Sequence, residues 1–203
     1  MKRRIIAASG NKDKIKEIEA ITKRFGMEVV SMKDAGVPVE DIEETGSTFE
    51  ENSFIKAKAI WDITGEATIA DDSGLEVEYL DGAPGIYSAR FAGEECDYSN
   101  NNEKLLMLME GVPTEARKAR FVTVITMIFE DGEVLVARGE CHGRISEELH
   151  GEGGFGYDPV FIPEGYEETF AQLGTDVKNR IGHRAHALEK LTEMLAACGE
   201  MSE

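Results

Sequence analysis

The stretch Ile69-Ala70-Asp71-Asp72-Ser73-Gly74-Leu75 restricts the fold more than any other part of the chain. Its apolar lead-in has the β-like character of a short buried strand, and it ends abruptly in two carboxylates, a hydroxyl and a glycine. Polar groups are therefore predicted where a strand meets a loop. Adjacent carboxylates repel one another, which raises the proton affinity of one of them unless a cation or hydrogen-bond donors offset the repulsion. A divalent metal would do so, and a solvated turn at a strand end is the competing reading.

The rest of the chain must supply the partners. With 203 residues and 41% hydrophobic content, it suits one generous domain or two lobes sharing a sheet, and no linker-like run divides residues 1–203. Lys and Arg number 22 against 40 Asp and Glu, and the net charge of -18 opposes binding to a nucleic-acid backbone. A small anion remains a suitable ligand where a few basic groups converge. No apolar run approaches the roughly 18 to 20 residues needed to cross a bilayer, and no signal peptide is read at the start. Cys96, Cys141 and Cys198 are widely spaced and lack any Cys-x-x-Cys pairing, so neither a disulfide framework nor a zinc site is expected, and a reducing cytoplasm is.

Residues 3–8 read as a first strand and Lys12 to Phe25 as a helix with Ile15, Ile18, Ile21 and Phe25 on one face. The turn between them, Ser9-Gly10-Asn11-Lys12-Asp13-Lys14, would point free backbone N–H groups and two lysines at an anion beyond the strand, although the P-loop spacing is absent. Val29 to Ser31 reads as a strand. Glu40, Asp41, Glu43 and Glu44 sit in a polar loop, and Ser47 or Thr48, each with a Glu three residues on, starts a helix running to about Ile63. Ser99 or Asn100 should cap a helix through Leu108. Phe121 to Phe129 and Val134 to His142 form a hairpin around Asp131-Gly132, with Cys141-His142 read as packing.

Gly151-Glu152-Gly153-Gly154-Phe155-Gly156 satisfies G-x-G-x-x-G, but Asp158-Pro159 follows at once, so no helix can open there to receive a pyrophosphate. The glycines allow close approach to a flat ligand, with Phe155 and Tyr157 available to stack on it. Glu167 to Leu173 reads as a short helix and Arg184 to about Ala197 as a longer one. Lys178, Arg180, His183 and Arg184 crowd the entrance of the longer helix, where cations are disfavoured unless an anionic ligand binds.

Taken in order, these motifs resemble the inosine/xanthosine triphosphate pyrophosphatases of the Ham1 type. The matching residues are Ser9-Gly10-Asn11 with Lys14 and Glu17, Glu44-Thr45-Gly46 with Phe49, Glu51-Asn52 and Lys56-Ala57, and Ala70-Asp71-Asp72-Ser73-Gly74-Leu75. Gly82 to Arg90, Gly153 to Pro159, Lys178 and His183-Arg184 complete the set, so it spans nearly the whole chain. Ser9 stands where Thr is common in the family and Gly182 where Ser usually precedes His-Arg.

The resemblance implies an α/β fold, a long central mixed sheet flanked by helices with two lobes around a cleft, in a homodimer. It implies hydrolysis of dITP, ITP or XTP to the monophosphate and pyrophosphate. Asp72 is then the proton acceptor and, with Glu44, a ligand of Mg²⁺ or Mn²⁺, while Ser9, Gly10, Asn11, Lys12, Asp13 and Lys14 cradle the phosphates. Ser73, Phe155, Gly156, Tyr157, Asp158, Lys178, His183 and Arg184 contact substrate. The rival readings are a pyrophosphatase with another base preference, such as the Maf-type enzymes, and a nucleotide-sensing protein without turnover.

Overall fold

The structure is a computed structural model that describes residues 3–23, 26–38, 42–93 and 97–197. Phe25, Glu40, Asp41, Cys96 and Cys198 figure in the expectations above and lie outside the described residues. Among the described residues there are six strands: β1 (Arg3–Ala7), β2 (Met27–Ser31), β3 (Thr68–Val77), β4 (Lys118–Ile128), β5 (Val134–Ile145) and β6 (Phe161–Pro163). They follow the order β2-β1-β3-β4-β5-β6. The sheet is mixed, since β1 pairs in parallel with β2 and β3 while β5 and β6 are antiparallel. The helices are α1 (Lys12–Thr22), α2 (Phe49–Thr64), α3 (Tyr98–Leu108), α4 (Phe170–Leu173), α5 (Thr175–Ile181) and α6 (His183–Ala197). The chain divides into two compact units, the first formed by Met1–Asp72, Thr123–Gly139 and Arg184–Glu203, the second by Ser73–Val122 and Glu140–His183.

In the first unit the strand period of two sorts the core into two layers. Ile5, Ala7 and Ile69 face one way and pack with Ile18 of α1 and Leu188, Leu191 and Leu195 of α6. Ile6, Ala8 and Ala70 face the other way and pack with Ala57 and Ile60 of α2. Helix α2 starts where Thr48 Oγ1 accepts the Glu51 N–H at 3.1 Å. Glu51 in turn accepts the backbone N–H of Ser47 at 2.6 Å and its hydroxyl at 2.8 Å, so the box closes one residue before the cap.

The second unit has one core, in which Leu75 and Val77 of β3 meet Leu105 and Met109 of α3 together with Phe121, Phe161 and Phe170. Helix α3 is capped by Asp97, whose carboxylate accepts the Asn100 N–H at 3.1 Å, not by Ser99 or Asn100. The carboxylate is the stronger acceptor for an orphan helix N–H. No helix occurs between Gly151 and Phe170, in keeping with the rejection of a dinucleotide fingerprint.

Two sequence expectations change. Strand β3 does not end at Asp71-Asp72 but continues to Val77, with both carboxylates buried in mid-strand. Countercharges make that burial tolerable. The basic run before α6 is also not an open helix entrance, because Thr175–Ile181 forms α5 and places Lys178 and Arg180 in its last turn, where cations suit the dipole.

Candidate active site

The pleat of β3 separates the two adjacent carboxylates. Asp71 follows the direction of Ile69 and meets cations of α1 and α6, with Arg184 Nη2 donating to its Oδ2 at 3.0 Å and Lys14 Nζ 3.3 Å from the same oxygen. The Arg184 guanidinium also donates to Glu17 of α1. Full burial pushes the Arg184 guanidinium down to about 10, still far above neutrality. Asp72 follows Ala70 and meets α2, where Lys56 Nζ donates to its Oδ1 at 3.1 Å and to Glu44 Oε1 at 2.7 Å.

Burial raises the Asp72 carboxyl above its ordinary value, and Lys56 and Lys14 only partly offset this. For Lys56, burial acts to lower the ammonium, but Asp72, Asp71 and Glu44 overcome it and hold it charged. The loop carrying Glu44 is tied to the same helix one turn earlier, where the Gly46 N–H donates to Asn52 Oδ1 at 2.8 Å. A Cβ at Gly46 would stand 2.6 Å from that oxygen, so only glycine allows this approach.

A divalent cation fits this set. Two carboxylates converge on a single ammonium, which shows that one cationic group can serve both, and Asp72 Oδ2 is buried with no hydrogen-bond partner. Among the described residues no cluster of three or more His, Cys, Asp or Glu forms a closed cage. Two carboxylates with open positions suit Mg²⁺, which keeps waters and takes phosphate oxygens.

Before α1, Asn11 Oδ1 accepts the N–H groups of Asp13 at 2.9 Å and Lys14 at 3.2 Å, and Ser9 Oγ accepts the Asn11 N–H at 3.2 Å. The side chains of Ser9 and Asn11 thus shape the turn. Gly10 and Lys12 are exposed, and Asp13 pairs with Lys16.

In the second unit Asp158 is fully buried, and its Oδ2 accepts from Lys178 Nζ at 2.8 Å and from the Phe155 N–H at 3.0 Å. Burial raises the Asp158 carboxyl, against the lowering effect of Lys178. The same ammonium lies 4.1 Å from the centroid of Phe155, a cation–π contact. His183 is buried and stacks on Phe121 at 4.7 Å with an interplanar angle of 15°. Ser73, half-buried, is the first residue of this unit on β3.

Tyr157 is not available to stack on a ligand. It lies in the core with its hydroxyl donating to the Ser88 carbonyl at 2.9 Å, because a buried phenol must find an acceptor. Phe155 is the half-buried ring that the loop presents. The departure at Gly182 also has a local reason: its N–H closes α5 on the Lys178 carbonyl at 2.8 Å, and a Cβ would come within 2.5 Å of that oxygen.

A model of the Ham1 family matches residues 5–194. The chain belongs to the Ham1 family. It is 50% identical to the dITP/XTP pyrophosphatase of Clostridium perfringens over 199 residues, covering 95% of this chain and 97% of that protein. It is 52% identical to the dITP/XTP pyrophosphatase of Caldanaerobacter subterraneus subsp. tengcongensis over 193 residues, covering 95% and 96% respectively. The solved Ham1 protein of Staphylococcus aureus superposes with a TM-score of 0.85 at 42% identity, covering 96% of this chain and 99% of that one.

Within this Ham1-family fold, Ser9 to Lys14, Glu44, Asp72 and Arg184 belong to the first unit, whereas Ser73, Phe155 to Asp158, Lys178 and His183 belong to the second. Family membership also brings a general dependence on divalent metal. Sequence reasoning assigned no role to Lys56, Asn52 or Glu17. The signal for the first two was present: Asn52 and Lys56 are polar, four residues apart on α2, and fall beside the face carrying Phe49, Ser53, Ala57 and Ile60. Nothing local marks Glu17 as the partner of a residue 167 positions away.

Proposed function

We propose that the protein hydrolyses non-standard purine nucleoside triphosphates, dITP, ITP or XTP, to the monophosphate and pyrophosphate, and so clears them from the nucleotide pool. The observation that carries this reading is the Lys56 ammonium shared by Glu44 and Asp72. It marks a place where negative charge has been concentrated and a cation is needed. Glu44 and Asp72 would hold Mg²⁺, which when bound neutralises phosphate charge and acidifies a coordinated water.

The residues of the chain do the remainder. Asp72 accepts the proton of the attacking water, a role helped by the burial that raises its carboxyl. The Lys12 and Lys14 side chains take oxygens of the departing pyrophosphate. Asp71 and Glu17 hold Arg184 and Lys14 in place. For the base, the second unit offers the Phe155 ring for stacking and Lys178, His183 and loop N–H groups as donors. Hypoxanthine and xanthine carry a 6-keto acceptor where adenine carries an amino donor, so adenine leaves those donors unmatched.

The test is pyrophosphate release with Mg²⁺ from dITP, XTP, dGTP, dATP and dTTP, alongside Asp72→Asn. Release from dITP and XTP well above the other three is expected, with turnover lost in the variant. Comparable rates on all five would sink the substrate assignment, and full activity of Asp72→Asn would sink the assignment of the base. Among the described residues no helix is long and apolar enough to cross a membrane. We propose a cytoplasmic homodimer, which sedimentation velocity would test.

A further inference from the structure

Asn102 occupies an unexpected place in α3. It is 3% exposed on the same side of the helix as the core residues Leu105 and Met109, three and seven positions further on, where an apolar side chain would pack without loss. Its Nδ2 donates to the Tyr98 carbonyl at 2.8 Å and to the Gly156 carbonyl at 2.8 Å. Its Oδ1 is buried with no hydrogen-bond partner. A buried acceptor without a donor is destabilising, so a core amide that leaves one unmatched is poorly explained by stability alone.

The bond to Gly156 is the informative one. Gly156 follows Phe155 directly and turns the chain at φ +65°. Fixing its carbonyl fixes the plane of the Gly156–Tyr157 peptide, one residue beyond Phe155. Helix α3 touches the same loop a second time, one turn earlier: the Tyr98 ring lies 6.1 Å from the Phe155 ring, tilted at 43°. Lys178 of α5 and Asp158 of the loop hold the Phe155 ring and N–H. Phe155 thus has an inner support of charged groups and an outer support from the first turns of α3.

We propose that Asn102, assisted by Tyr98, is a specificity-determining positioning residue that sets the Phe155 loop for the base of the substrate. The proposal rests on the reading that this loop takes the base. It acts through Phe155 and Gly156, without contact to the reacting phosphate. The penalty of the unmatched Oδ1 is retained for the Gly156 bond, which an apolar residue cannot make.

The test compares wild type with Asn102→Leu, close in volume and suited to a helix, and with Tyr98→Leu at a half-buried position. Three quantities are read for each: kcat and KM for dITP and dATP, the inhibition constant of inorganic tripolyphosphate, and Tm. The expected result for Asn102→Leu is a rise in KM for dITP of about tenfold or more with kcat little changed, a narrower ratio of dITP to dATP, an unchanged tripolyphosphate constant and an undiminished Tm. Tyr98→Leu should move the same quantities in the same direction by less. Wild-type base preference in both folded variants would overturn the proposal. So would an equal loss of affinity for tripolyphosphate, which carries no base. A wild-type enzyme with no base preference would instead overturn the substrate assignment, and it is scored on wild type alone.

Discussion

Lys56 Nζ joins Glu44 Oε1 at 2.7 Å and Asp72 Oδ1 at 3.1 Å, so one largely buried ammonium ties a loop carboxylate to a strand carboxylate. Removing it takes away the ammonium that both acids share and leaves Lys14 as the remaining cation acting on Asp72. Lys56→Met is therefore expected to lower the Tm of the metal-free protein, and Mg²⁺ should restore more of that loss than it adds to wild type, because the ion binds only the folded state. Turnover of dITP should fall on the order of 100-fold with the loss of one preorganised charge. Thermal melts with and without Mg²⁺ check the first part. An unchanged metal-free Tm would show that the bridge contributes nothing.

Arg184 lies between Asp71 and Glu17, all three buried. A residue that only touched substrate would change KM and leave stability alone. Here Arg184→Leu removes the buried guanidinium that Asp71 and Glu17 share, with Lys14 still beside Asp71, and a loss of about 3–5 kcal/mol is expected in urea unfolding without nucleotide. Glu17→Gln keeps the shape of the partner and should lose less.

Gly46 has room for a hydrogen but not for a methyl group, since a Cβ would meet Asn52 Oδ1 at 2.6 Å and Glu51 Cβ at 2.7 Å. Gly46→Ala must push the Glu44 loop off α2. A Mg²⁺ affinity weakened about tenfold is expected, with a stability cost of about 1–3 kcal/mol. Calorimetric titration of the nucleotide-free protein measures the first, and an unaltered affinity would detach the loop from metal binding.

Cys141 is buried, and desolvation pushes its thiol up from 9.0 to about 12, with Lys178 acting to lower it and Glu164 to raise it. Above pH 9 the unfolded chain releases this proton while the native state keeps it. The unfolded state then binds fewer protons, so this group's contribution to stability declines as pH rises from about 9 towards 12. Cys141→Ala should flatten that decline when unfolding is compared at pH 8 and pH 10. Alkylation followed by peptide mapping should find Cys141 unmodified in the native protein at pH 8.

Much of the scaffold was legible because its signals are local. The Thr48 cap, the apolar face of α2 and the Asp131-Gly132 turn, in which the Gly132 N–H bonds to Phe129 at 3.0 Å, each act within a few residues. Helix α5, seven residues long, is too short to display a period, and along the sequence it reads as a basic approach to α6. The continuation of β3 past Asp71-Asp72 is hidden for a related reason. Two carboxylates in succession argue locally for solvent, and the cations that permit their burial come from α1, α2 and α6.

The sequence by itself determined the residue types of the site, the alternation that sends Ile69 and Ala70 to opposite layers, and the family to which the order of motifs belongs. Only the tertiary structure decided which cation answers which acid. Asp71 and Asp72 are neighbours in the chain, yet the pleat turns one towards Arg184 and Lys14 and the other towards Lys56. Pleat direction follows from local geometry, whereas ion pairing depends on which side chains long-range packing brings within a few ångströms, and no local rule contains that distance.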